Sequence, residues 1–170
     1  MHRKDFIKNS GLAAASFAIL PSGSLFAASA DSKVKIAVIG TGLRGQKHEE
    51  LLLAREDVEI IAICDISDLM LSSAKEMINK SGKKMPLIFT GDNYAWKKIL
   101  EIKNLDGVII ATPWEWHKQM IVGSLDAGVK YVGTEVVLGI TLQDHWDVVK
   151  AAEKNNAQVM MLENVCYRRD

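Results

Sequence analysis

The sequence predicts an α/β fold, a doubly wound parallel sheet of six strands with helices on both faces. Three observations predict it. From Val34 onward, apolar strand-like runs alternate with stretches of helical period. The first of those runs leads directly into Gly40-Thr41-Gly42-Leu43-Arg44-Gly45, and the second ends in Asp65, 20 residues after Gly45. Near-continuous apolar strands belong to a sheet buried on both faces, and right-handed crossovers then give the strand order 3-2-1-4-5-6.

The expected strands, in chain order, are Val34 to Ile39, Val58 to Cys64, a short one at Leu87 to Phe89, Val108 to Ala111, Tyr131 to Thr134, and Val159 to Leu162. Helical spacing lies between them, in Met70, Ala74, Met77 and Ile78, in Trp96, Ile99 and Leu100, and in Ile121 and Leu125. These stripes face the core. Asp92 is placed to cap the third helix, Gly128 to end the fourth, and Thr141 with Asp144 to open the fifth as a capping box.

A glycine-rich turn between a strand and a helix has a physical task at each glycine. Gly40 permits the tight turn, Gly42 lets backbone approach a pyrophosphate, and Gly45 lets the helix pack close to the strand. Free N–H groups at the positive end of the helix then receive the phosphates. Asp65 stands where a carboxylate accepts hydrogen bonds from ribose hydroxyls and repels a 2′-phosphate. The next residues, Ile66-Ser67-Asp68, offer no arginine to hold one. The fold is therefore read as a Rossmann-type domain over residues 31–170, with NAD preferred to NADP. A turn with Asp65 as a helix cap is the alternative.

Two further segments end strands at the same carboxyl edge, where ligands bind in such sheets. They are Ala111-Thr112-Pro113-Trp114-Glu115-Trp116-His117 and Gly133-Thr134-Glu135-Val136-Val137. Pro113 suits a strand-to-helix transition, and two tryptophans in a loop can wall a cofactor from water. His117 is a catalytic candidate by position; a helix-start histidine with no catalytic task is the other reading.

Gly40 to Gly45, Asp65, Thr112-Pro113 with His117, and Glu135 together resemble the N-terminal domain of the Gfo/Idh/MocA oxidoreductases. Trp114 to His117, Glu135-Val136 and the terminal run Met161 to Asp170 resemble, more narrowly, the family 109 glycoside hydrolases. The resemblance implies cofactor contacts from Leu43, Arg44, Asp65, Trp114, Glu115, Trp116, His117, Glu135, Val136 and Asn164. It implies NAD used to oxidise a sugar hydroxyl transiently, so that a terminal α-N-acetylgalactosamine leaves by elimination, water addition and re-reduction. Ordinary dehydrogenases of the broader family carry Glu-Lys-Pro where this chain has Glu135-Val136-Val137, and Val136 cannot move a proton. Tyr167 is the remaining candidate for proton transfer or substrate contact, against an aromatic that merely packs at a domain junction. Relatives continue after the sixth strand into a substrate domain expected to be absent here, so the chain is expected to bind NAD without turnover. A sugar dehydrogenase and a non-catalytic NAD-binding module are the alternatives.

Composition narrows the classes. The 170 residues carry 21 Lys+Arg against 21 Asp+Glu, a balance that supplies no basic excess for a nucleic-acid backbone. Residues 1–30 read as a signal peptide, with Arg3 and Lys4 before an apolar run from Gly11 to Leu20 and small residues ending in Ala28-Ser29-Ala30. The run is shorter than the roughly 20 residues a spanning helix needs, so export to the periplasm or medium is expected rather than a stable membrane span. Arg3-Lys4-Asp5-Phe6-Ile7-Lys8 is similar to a twin-arginine signal with lysine in the second position. Cys64 and Cys166 fall four strand spacings apart in the expected order, roughly 19 Å, beyond disulfide reach, and are read as packing residues. No metal site is expected.

Overall fold

The computed structural model describes residues 33–165. The expected leader, Cys166 and Tyr167 lie outside them. Six strands form one all-parallel sheet: β1 (Val34–Ile39), β2 (Val58–Cys64), β3 (Leu87–Phe89), β4 (Gly107–Ile110), β5 (Tyr131–Thr134) and β6 (Gln158–Met161). Their order is β3-β2-β1-β4-β5-β6, as the sequence predicts. Two strands begin and end one residue earlier than expected. The reason is that Ala111 and Leu162, though outside the strands, still donate their N–H groups to the carbonyls of Ile39 and Thr134, so the apolar run outlasts the regular ladder by one bond.

Four α-helices cross between the strands: α1 (Leu43–Leu53), α2 (Asp68–Ser81), α3 (Trp114–Asp126) and α4 (Leu142–Lys154). The connection from β3 to β4 is a 3₁₀ helix, Ala95–Glu101, in place of the expected α-helix. Asp92 does not cap it. Its carboxylate accepts the Tyr94 N–H at 2.6 Å, closing a local turn two residues ahead of the helix. At α4 the capping box is present, with Thr141 accepting from the Asp144 N–H and Asp144 accepting from the Thr141 N–H.

Alternation along β1 sends Val38 to one face and Ala37 and Ile39 to the other. On the first face, Val38, Ile60 and Ile63 pack with Leu71, Ala74 and Ile78 of α2 and with Leu52 and Leu53 of α1. On the second, Val108, Ile110 and Val132 meet Trp96, Ile99, Ile121, Leu125 and Val148. The buried stripe of α2 runs through Leu71, whereas Met70 turns to the cleft at the carboxyl edge. Among the described residues no helix is long and apolar enough to cross a membrane.

Candidate functional site

The site is built where β1, β2, β4 and β5 end. Gly40 donates its N–H to the Cys64 carbonyl at 2.8 Å and turns with φ +91°, a left-handed conformation that glycine adopts without strain. A methyl group there would stand 2.6 Å from the Ala111 carbonyl oxygen. Gly45 is tighter still, since a Cβ would fall 1.9 Å from the carbonyl oxygen of Gly40. The two glycines thus let α1 begin directly over the ends of β1 and β4. Gly42 differs from both: among the described residues nothing lies within 4 Å of where its Cβ would be. It is the N-cap of α1 with no side-chain capping bond, so the helix presents open backbone N–H groups to the edge.

Asp65 closes the loop on one side. One carboxylate oxygen accepts the Thr41 N–H at 2.6 Å, and the other accepts the Ser67 N–H at 2.8 Å. The carboxylate is therefore fixed at the mouth of a cleft of about 320 Å³. Gly40, Gly42, Asp65 and Ile66 line one wall of it, and Thr112, Pro113, Trp116 and Met120 the other. Trp116 is itself packed edge-to-face on Tyr94, with ring centroids 5.7 Å apart.

Glu135 closes the other side. Its buried carboxylate receives Arg44 Nη2 at 2.8 Å and His48 Nε2 at 2.6 Å, both on the same oxygen. Burial alone would raise this carboxyl, but the hydrogen bonds from Arg44 and His48, with the charges behind them, outweigh it and hold it below the ordinary carboxylate range. Arg44 and His48 stand four residues apart on one face of α1, which is why one carboxylate can take both.

His117, a catalytic candidate by its position in sequence, is fully buried. Its Nδ1 lies 2.6 Å from the Val137 carbonyl oxygen and its Nε2 2.7 Å from that of Thr112. Carbonyls only accept, so a neutral ring serves one contact and a doubly protonated ring serves both. The geometry makes His117 a tie between the loops that follow β4 and β5, with both ring nitrogens committed to backbone.

Of the other expected cofactor residues, Leu43, Arg44, Trp114 and Glu115 are exposed at the edge, and Thr112, Trp116 and Val136 are partly buried there. Asn164 is exposed, three residues past β6. Sequence reasoning passed over Thr41, whose backbone anchors Asp65, and His48, which the i, i+4 spacing from Arg44 could have flagged. It also passed over Glu49, a carboxylate on the inward side of α1. Among the described residues no group of three or more His, Cys, Asp or Glu side chains is placed to hold a metal ion.

The arrangement fits a dinucleotide: open space at Gly42 through which a ligand reaches the backbone, an uncapped helix start for a pyrophosphate, and a fixed carboxylate at an apolar cleft for a nucleoside. Comparison with known proteins agrees. Residues 34–163 match the Gfo/Idh/MocA model, described as an oxidoreductase family with an NAD-binding Rossmann fold. A glycosyl hydrolase family 109 protein of Stenotrophomonas maltophilia is 49% identical across the whole chain, which covers 37% of that protein. An α-N-acetylgalactosaminidase of Tannerella forsythia is 40% identical over 144 residues, 85% of this chain and 31% of that one. The chain thus spans about a third of the length of these relatives. Among solved structures, a WlbA dehydrogenase of Chromobacterium violaceum, in complex with NADH and UDP-GlcNAcA, superposes with a TM-score of 0.66 at 25% identity. That match covers 78% of this chain and 36% of the other.

Proposed function

This chain belongs to the Gfo/Idh/MocA oxidoreductase family with its NAD-binding Rossmann fold, and from that premise we propose that it is the cofactor-holding part of a glycosidase that removes terminal α-N-acetylgalactosamine. The observation that carries this reading is the 49% identity to a family 109 protein over the full chain. It is supported by Val136, an aliphatic residue where dehydrogenases of the broader family carry the proton-transferring lysine. The chemistry supplied by bound NAD is reversible acceptance of hydride from a sugar carbon, which acidifies the neighbouring C–H for elimination and later addition of water.

The chain's own residues bind and orient. Open N–H groups at Gly42 and the first turn of α1 would receive the pyrophosphate, and Asp65 the adenosine ribose hydroxyls. Arg44, held by Glu135, would set a positive charge beside the phosphates. Trp114 and Trp116 would shield the cofactor from water. The matched stretch is about a third of the length of its relatives, and we infer that the cover over the cofactor and the substrate contacts come from residues outside that match, so these 170 residues alone are expected to hold NAD without turning over.

Calorimetry of the 170-residue chain with NAD and NADP tests the first part, with tighter NAD binding expected. The second part is tested by joining the chain to the portion of the Stenotrophomonas relative beyond the match. Hydrolysis of a chromogenic α-N-acetylgalactosaminide with no net NADH is expected. Steady NADH production from a free sugar would make the protein a sugar dehydrogenase, and hydrolysis by the 170-residue chain alone would sink the claim of no turnover. Residues 1–30 are proposed to direct export, which a fusion to a reporter active only outside the cytoplasm checks.

A further inference from the structure

The inward side of α1 carries Gly45 and, one turn later, Glu49. Glu49 is 0% exposed, and among the described residues neither of its carboxylate oxygens has a hydrogen-bond partner. The contrast with Glu135 is direct, since that buried carboxylate is ionised against Arg44 and His48. Among the described residues nothing comparable reaches Glu49. An ionised carboxylate buried without a partner is far costlier than a neutral carboxyl in the same place, so the packed state is one in which Glu49 carries a proton.

The elements packed against α1 are β1, β2, β4 and α2. Their ionisable groups are Lys35 on β1, Glu59 and Cys64 on β2 with Asp65 just after it, and Asp68, Lys75, Glu76 and Lys80 on α2; β4 has none. Arg44, Lys47, His48 and Glu50 share α1 itself, with Lys47 paired to Glu50, and Arg44 and His48 to Glu135. Of all these, Asp65 is the one whose charge bears on Glu49. Burial first, and then Asp65, push the Glu49 carboxyl up to about 7.

We propose that Glu49 is a proton latch on the cofactor helix: the chain holds NAD with Glu49 protonated, and ionisation of Glu49 releases it. This rests on the reading that the carboxyl edge binds NAD. The pyrophosphate would sit at Gly42, about 10 Å along the helix axis from Glu49 at 1.5 Å per residue, and adds negative charge to that of Asp65. Bound NAD therefore makes the proton on Glu49 harder to lose. Binding then takes up a proton at any pH where the free chain has already lost it. Affinity is flat on the acid side and falls up to tenfold per pH unit on the alkaline side, until the complex itself loses the proton.

The test is calorimetric titration of the full 170-residue chain with NAD between pH 6 and pH 8.5, in buffers of differing ionisation enthalpy. The wild type is expected to weaken at least tenfold across that range and to take up protons on binding near pH 8. Glu49→Gln is expected to vary less than twofold and to take up none. Histidines change charge in the same range, so His48→Gln is the control, and it is expected to keep the uptake. A Glu49→Gln variant that retains the wild-type pH dependence overturns the proposal. Should that variant not fold, the ¹³C carboxyl shift of Glu49 in the wild type decides: a midpoint at the ordinary 4.5 overturns it, and one near neutrality that rises with NAD supports it. PH-independent binding defeats the latch alone, whereas no binding at any pH defeats the NAD reading with it.

Discussion

Gly42 and Gly45 belong to one motif, yet the structure assigns them opposite vulnerabilities, and substituting each by alanine separates folding from cofactor binding. At Gly45 a methyl would sit 1.9 Å from the Gly40 carbonyl oxygen. Carbon–oxygen contacts of this kind close to about 3.3 Å at the nearest, so α1 must withdraw by roughly 1.4 Å from the turn that starts it. The obstacle is backbone, which puts the cost at the upper end of overpacking, about 3 kcal/mol, and improved helix propensity returns about 1. The net loss is about 2 kcal/mol, or roughly 8 °C in Tm for a domain of this size. At Gly42 the space is open and φ is −67°, which alanine adopts freely. Losing glycine at an N-cap and stiffening the unfolded chain are opposed effects of similar size, so stability should change by less than about 0.5 kcal/mol. The methyl does, however, occupy the approach to the open N–H groups, so NAD affinity should fall at least about tenfold, or 1.4 kcal/mol. Thermal denaturation and calorimetry on both variants check this. A Gly45→Ala protein that melts with the wild type, or a Gly42→Ala protein that binds NAD unchanged, would refute the steric argument.

Three further outcomes follow from the same geometry. Asp65→Asn removes the charge that repels a 2′-phosphate, so the ratio of NAD to NADP affinity should fall about tenfold, read from the two dissociation constants. Glu135 is held below the ordinary carboxylate range, so the stability it contributes is present above the ordinary value of 4.5 and lost as pH falls through its depressed value. Glu135→Gln should accordingly flatten that acid limb and cost about 1–3 kcal/mol at pH 7 in denaturant titrations. His117→Ala leaves the Thr112 and Val137 carbonyls without partners and opens a cavity, so a loss of about 2–4 kcal/mol and weaker NAD binding are expected, the second measured below the lowered Tm.

The strand order was legible because the apolar runs, the glycine turn and the crossover spacing all point to one topology, and each is local in sequence. Boundaries were less so. Ala111 and Leu162 continue the apolar pattern and still donate to the neighbouring strand, which hydrophobicity reports and the ladder definition excludes. The 3₁₀ helix at Ala95–Glu101 escaped because Trp96, Ile99 and Leu100 carry α-helical spacing, whereas the fully packed pair is Trp96 and Ile99, three apart, with Leu100 only partly buried. Asp92 has the side chain of a cap, but it spends its carboxylate on the Tyr94 N–H before the helix begins.

At the site, the sequence could nominate Gly40, Gly42, Gly45 and Asp65 because their tasks are set by the turn itself. It could not weigh His117. Whether a histidine acts on a ligand depends on what its ring nitrogens already bond, and here the two acceptors lie 5 and 20 residues away along the chain. The pairing of Arg44 and His48 with Glu135 spans 91 and 87 residues and exists only because α1 starts over the sheet edge where β5 ends. Glu49 shows the same limit from the other side. Helical spacing from Gly45 places it inward, but a carboxylate on an inward position is indistinguishable in sequence from one that finds a partner there. Only the fold shows that the guanidinium and imidazole of α1 have been claimed by Glu135, which leaves the second buried carboxylate of the site to be stabilised by a proton.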